Sequence, residues 1–321
     1  MKLPFLLVFF TLCYTNLTLA GDKPLIRIGL MASGTLGWEI AALQNEGLLA
    51  DSEFRLETQT LANQQAGKVA LQAGSVDIIV SDWIWVSGMR AEGADYTFYP
   101  FSSTAGGLIV PANSEIKTLA DLKSKKLGIA GGELDKNWLL LQELGQQQGL
   151  DLNAGVQKVY AAPPLLNQQL AEQRIDALLT YWQFAARLET QGYRQLLSGE
   201  EIIKQLGIKE TVPSLGYVFK QSWANQNLSA WQNFLTLADQ ARNKLCTSDQ
   251  AWQKIANTFA AGDDINQPLL RERYCQGRVQ EWGPANQAAA QQLYRLLHGL
   301  AGNKLTAGHP ELQAGTFWLG R

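Results

Sequence analysis

Short apolar runs and helical periodicities alternate along most of the chain. Leu25–Leu30 reads as a buried strand, Gly37–Leu48 carries apolar residues at helical spacing, and Phe54–Thr60 alternates like a half-buried strand. The same reading predicts a helix over Leu61–Ala73, a strand at Asp77–Ser81, a helix over Ile84–Ala91 and a strand at Gly107–Val110. The rhythm resumes with a strand at Lys126–Ala130, a helix over Asp135–Gln148 and a strand at Gln157–Ala161. A helix over Pro164–Gln173 and a strand at Ala177–Thr180 follow. Strands separated by helical patterns of this length indicate βαβ units and parallel sheets, hence an α/β fold. From Trp223 onward the pattern is mostly helical, with a break at Gly283-Pro284; the Gln-rich stretches keep helical apolar spacing and read as solvated helix faces.

An internal repeat overlies this rhythm. Leu71–Trp85 aligns without a gap on Leu170–Phe184: a helix end, one Asp, a buried strand, two polar positions, then Trp-x-aromatic. More loosely, Gly29 precedes Trp38 as Gly128 precedes Trp138. Each half therefore holds a similar sheet, with Trp38, Trp83, Trp138 and Trp182 at the C-terminal ends of strands, where open α/β sheets bind ligands.

The first twenty residues have a different character. Met1-Lys2 is a short positive region, Leu3 to Cys13 is apolar, and Thr18-Leu19-Ala20 puts small residues at the −3 and −1 positions. This predicts a signal peptide cleaved after Ala20, since the run is too short for a membrane span of about 20 residues. The reading is of an exported, periplasmic protein. Lys+Arg number 27 and Asp+Glu 29, a net of −2 that becomes −3 once Lys2 is removed. No basic excess exists for a nucleic-acid partner. Cys13 leaves with the signal, so Cys246 and Cys275 remain, as a disulfide in an oxidising compartment or as two buried thiols. Two His, two remaining Cys and no phosphate-loop or nucleophile-elbow motif predict no metal, no cofactor and no enzyme.

Leu119–Ala130 (LADLKSKKLGIA) resembles the "L-x-D-L-K-G-K-K-[VI]-G" segment of the substrate-binding proteins of ABC importers, in the branch that takes up nitrate, taurine, alkanesulfonates and thiamine precursors. Ala41–Leu49 resembles that branch's "A-x-x-K-G-[FL]-[FL]" stretch, and Leu71–Asp77 and Leu170–Asp176 resemble its two "L-x-x-G-x-[VI]-D" segments. Gln173 departs from the pattern, where the branch often has Gly. The resemblance implies a type II periplasmic-binding-protein fold: two α/β lobes, a helical C-terminal part and a cleft that closes on ligand. Lobe one would comprise 21–111 plus 215–321 and lobe two 112–214. Crossings are expected near Ala105–Pro111 and Ser214–Phe219, where Gly106, Gly107 and Gly216 would absorb hinge motion.

The function implied is a periplasmic solute-binding protein, a monomer, delivering a small molecule to an ABC permease and ATPase complex. Expected ligand-binding residues are Ser33, Thr35, Trp38, Asp82, Trp83, Gly132, Glu133, Trp138, Tyr181 and Trp182. Ser33 and Thr35 open the first helix, as an anion cradle or as ordinary caps. Gly132 and Glu133 hold the matching place in the other lobe. Asp82 pairs with a ligand amine or caps the next helix. The tryptophans, with Tyr181, stack on a planar ligand from both lobes or fill the core. Acids without a matching Arg tilt the expected ligand toward a planar or cationic, nitrogen-containing molecule of the thiamine-precursor kind. A sulfonate or other organic anion is the alternative, and an exported enzyme or a ligand-sensing subunit on the same fold is a further one.

Overall fold

The structure is a computed structural model describing residues 23–32, 34–259 and 268–320. The expected signal peptide (1–20) with its cleavage after Ala20, and Ser33, lie outside the described residues. The chain begins with β1 (Leu25–Met31), α1 (Leu36–Asn45), β2 (Arg55–Leu61), α2 (Gln64–Gln72), β3 (Ile79–Ser81), α3 (Trp83–Ala91) and β4 (Tyr96–Ser102). It crosses over and builds β5 (Gly107–Val110), β6 (Lys126–Ala130), α4 (Lys136–Gln147), α5 (Leu152–Gly155), β7 (Gln157–Ala161) and α6 (Pro163–Ala171). β8 (Ala177–Thr180), α7 (Trp182–Thr190), β9 (Arg194–Ser198) and α8 (Gly199–Gln205) complete that half. It returns as β10 (Leu215–Lys220) and ends in α9 (Gln221–Gln226), α10 (Leu228–Thr247), α11 (Asp249–Phe259), α12 (Pro268–Gln276), α13 (Pro284–Ala301) and α14 (Asn303–Thr306).

The fold is α/β and two-lobed. One sheet has the order β7-β6-β8-β5-β9. In the other lobe β1 pairs with β2, β10 lies between β3 and β4, and the parallel bridge Ile28↔Ile78 joins the two groups. The order is then β2-β1-β3-β10-β4, the same plan with the strand from the other half inserted antiparallel at the fourth place.

The repeat is structural. The Asp77 carboxylate accepts the Arg27 backbone N–H at 2.9 Å, and the Asp176 carboxylate accepts that of Lys126 at 2.7 Å. The carboxylate thus satisfies a backbone N–H of the strand beside it, β1 or β6, which explains the single Asp before each buried run. At the turn between helix and strand, Gly74 has φ 71° and Gln173, its counterpart, φ 56°. A Cβ on Gly29 would lie 2.5 Å from Leu61, and one on Gly128 2.6 Å from Ile175, so both strands need Gly for close packing.

Two strands escaped the sequence reading. β4 carries Pro100 within an apolar run, and β9 is half-buried along its length, so neither shows clean alternation. β10 is the strand at the crossing expected near Ser214–Phe219, and it pairs with β3 and β4 in lobe one. Conversely, Gly107–Val110 pairs with β8 and β9, so the crossover lies before β5 and not at the expected 111/112 boundary. The expected hinge glycines also meet a packing need. A Cβ on Gly106 would meet the Thr180 carbonyl oxygen at 2.2 Å, and one on Gly216 the Tyr99 carbonyl oxygen at 2.4 Å. They permit close backbone approach where the lobes join.

The lobes touch each other. A single apolar cluster runs from Leu71, Trp83 and Phe98 of lobe one to Leu127, Trp138 and Leu141 of lobe two, with Tyr294 and Leu297 of α13 within it. Cys246 on α10 and Cys275 on α12 form a disulfide.

Candidate functional site

Strand C-terminal ends from both lobes meet around Asp82. Asp82, the residue after β3, caps α3 by accepting the Trp85 backbone N–H at 3.0 Å. Its other oxygen faces two ammonium groups: Lys136 of α4 in lobe two at 3.6 Å, and Lys68 of α2 at 4.0 Å. Burial alone would raise the Asp82 carboxyl, but Lys136, Lys68 and the Trp85 N–H outweigh it and hold the group below its ordinary value. Capping and ion pairing therefore coexist in Asp82. Lys68 is the residue that sequence reasoning missed. It projects from the side of a helix and not from a strand end, and sits 4.9 Å above the Trp85 ring. Burial lowers its pKa, Asp82 opposes that, and the like charge of Lys136 adds to the lowering.

On the lobe-two side Asp135 caps α4, accepting the Trp138 backbone N–H at 3.1 Å. Burial raises its carboxyl to about 6, against the pull of that N–H and of Lys136. Tyr181 lies beside it, its phenol raised by burial and by the Asp135 charge. Gly131 and Gly132 are both left-handed, at φ 88° and 87°. A Cβ on Gly131 would meet the Asp135 carboxylate at 2.8 Å, while one on Gly132 would meet nothing. Gly132 is half-exposed and Glu133 exposed. Thr35 stands at the N-cap of α1 without capping it through its side chain, and is half-exposed. Ser81 and Thr180, equivalent ends of β3 and β8, are buried with hydroxyls that have no hydrogen-bond partner among the described residues.

The four tryptophans do not share one environment. Trp182 is half-buried and meets Trp38 of the other lobe edge-on, ring centroids 6.1 Å apart. Trp38 is otherwise enclosed by Trp252 and Tyr274. Trp83 is turned into the core. Its indole N–H donates to the Pro213 carbonyl on the return crossover at 2.7 Å, and Tyr294 and Phe317 pack beside it. Trp138 is 1% exposed within the same cluster. The expected pair of facing stacks, Trp83 against Trp182, is therefore not formed. The repeat makes these two residues equivalent, but α13 and the C-terminal segment cover only the first.

Behind α1 lies a group that no motif announced. Glu39 is 1% exposed and accepts hydroxyl hydrogen bonds from Tyr274 at 2.9 Å and Tyr217 at 3.2 Å. Arg242, itself buried, lies 3.9 Å away and rests over the Phe101 ring. Burial raises the Glu39 carboxyl to about 7, with Arg242 and the two hydroxyls offsetting part of the effect. Among the described residues no helix is long and apolar enough to cross a membrane.

The profile of the family described as NMT1/THI5 like matches residues 41–248. The fold is similar to that of the periplasmic aliphatic sulphonate binding protein SsuA from Escherichia coli, at 21% identity over 93% of each chain, with a TM-score of 0.71. It is similar also to the alkanesulfonate-binding protein SsuA from Xanthomonas axonopodis pv. citri bound to MOPS, at 20% identity over 93% of this chain and 99% of that one, TM-score 0.65. A third likeness is to an ABC transporter protein from Parabacteroides distasonis, at 12% identity over 94% and 100%, TM-score 0.70. At these identities the likeness is one of fold. No curated protein matches the chain in sequence.

Proposed function

The chain belongs to the NMT1/THI5-like family, and from that premise we propose that it is an exported periplasmic solute-binding protein that captures a small molecule between its lobes and hands it to an ABC importer. The observation that carries this reading is the convergence of Lys136 from lobe two on Asp82 from lobe one, with Lys68 and Asp135 beside them. A solute touching both sets of groups favours the closed form, and a permease can read that form. The role is binding, not catalysis.

The charges also bear on the ligand. Asp82 already has two ammonium partners, so it is not the free carboxylate that the tilt toward a cationic ligand needed. Burial disfavours the charge of two groups: the Lys68 ammonium, lowered although Asp82 opposes the effect, and the Asp135 carboxyl, raised although Lys136 opposes it. A solute carrying an anionic group at one end and an amine at the other satisfies both, the anion facing Lys68 and Lys136 and the amine facing Asp135 and Tyr181. The half-exposed Trp182 supplies an apolar wall between them.

Calorimetric titration of ligand-stripped protein tests this with three probes: taurine, ethanesulfonate and an aminopyrimidine. Charged hydrogen bonds of about 1.5–3 kcal/mol predict that taurine binds at least about tenfold tighter than either one-ended probe. Tightest binding of the aminopyrimidine would reinstate the planar cationic ligand; tightest binding of ethanesulfonate would leave a plain anion site. Mass spectrometry of solute co-purified from native export identifies the cargo directly.

A further inference from the structure

Helix α12 is built into lobe one and reaches lobe two. Cys275 bonds it to Cys246 of α10, and Arg271 Nε donates to the Leu245 carbonyl at 2.8 Å. Tyr274 donates its hydroxyl to Glu39 on α1. Its exit is threaded onto the first crossover. The Gly277 carbonyl accepts the Ser103 N–H at 2.8 Å, and a Cβ on Gly277 would sit 2.0 Å from the Thr104 side chain. The helix runs beside α7 of lobe two. There Arg273 Nη2 donates to both oxygens of Glu189, at 3.1 and 3.4 Å. The two side chains are 33% and 17% exposed, which shields the pair from full solvent screening. The Trp38–Trp182 contact lies alongside, with Tyr274 against Trp38 at 5.6 Å.

We propose that α12 is a strap that holds the closed form through Arg273 and Glu189, and that the Cys246–Cys275 bond fixes its position. These anchors of α12 stay within lobe one or its crossover when the lobes part, so opening breaks the Arg273–Glu189 pair and leaves them intact. The energy of that pair therefore enters the open–closed equilibrium directly. Affinity for a solute that binds the closed form scales with the closed fraction, so Arg273 tunes affinity without touching the ligand. The disulfide keeps the guanidinium at high effective concentration before Glu189; a strap freed from α10 samples more conformations and meets its partner less often. Arg273 is thus a positioning residue. The inference rests on the two-lobed closure alone and holds whichever solute is bound.

The test uses ligand-stripped full-length mature protein and needs no ligand. Dyes attached through ketone-bearing side chains at the exposed positions Glu57 on β2 and Gln168 on α6 report the interlobe distance by single-molecule energy transfer. R273E should lower the closed-to-open ratio about three- to tenfold, the range of a partly shielded ion pair. The charge swap R273E/E189R should recover most of that loss, which a merely structural defect would not. C246S/C275S, and wild type under mild reduction, should lower the ratio and shrink the further effect of R273E to less than about twofold. An unchanged ratio in R273E, a swap no better than the single variant, or a wild type with no closed population each overturns the strap. An undiminished R273E effect in the reduced protein overturns the role of the disulfide. R273E and its swap keep the disulfide, so the strap is decided even where C246S/C275S fails to fold. Failure of every solute probe, with the strap effects present, would count against the ligand reading alone.

Discussion

Replacing Glu39 by glutamine removes one titratable group from a site sealed off from solvent while keeping its shape and its two hydroxyl partners. In the folded chain burial holds this carboxyl at about 7, against an ordinary 4.5. Between those values the folded protein keeps a proton that the unfolded chain has released. Stability therefore falls as pH rises through that window. Below about 4.5 both states are protonated, and above about 7 both are ionised and the cost is complete. The gap corresponds to about 3 kcal/mol at 1.36 kcal/mol per pH unit. Arg242 keeps its charge throughout, so losing its partner shifts the E39Q curve by a constant without changing its slope. The assay is urea unfolding of wild type and E39Q at intervals from pH 4 to 8.5, followed by tryptophan fluorescence. The stability of E39Q relative to wild type should climb by about 3 kcal/mol from pH 4 to 8. Parallel curves would refute the reasoning. A difference of opposite sign would mean that Arg242 wins over burial and that Glu39 is ionised in the fold at every pH tested.

Two further outcomes are expected. Gly106→Ala places a methyl group 2.2 Å from the Thr180 carbonyl oxygen, and backbone cannot yield as a side chain can; thermal melting should show a loss of about 1–3 kcal/mol, as for overpacking elsewhere. Reducing the Cys246–Cys275 bond opens a loop spanning a separation of 29 residues and should cost about 3–4 kcal/mol in urea unfolding by the loop-entropy relation; intact mass of the exported chain should show no alkylation before reduction and a first residue of Gly21.

Sequence by itself determined most of the local elements, though not β4 or β9, and the symmetry of the halves. A fully buried strand such as Ala177–Thr180 is an uninterrupted apolar run, and an amphipathic helix repeats its apolar positions, so each is written in neighbouring residues. The paired Asp77 and Asp176 announced matching turns, while Cys246 and Cys275 allowed either a disulfide or two thiols until the fold brought them together. What the tertiary structure alone decided is whatever depends on residues far apart in the chain. Trp83 and Trp182 have the same local signature, yet only Trp83 has Tyr294 and Phe317 beside it, contributed by the other end of the chain. Lys68 reads as a solvated helix position until Lys136, from another lobe, meets it at Asp82. Glu39 looks like a surface acid on a helix, and its hydroxyl partners lie 178 and 235 positions away. Periodicity reports which face of an element is buried. It carries no information about which distant element covers that face, and burial together with the charges brought to it sets the chemistry of Asp82, Asp135 and Glu39.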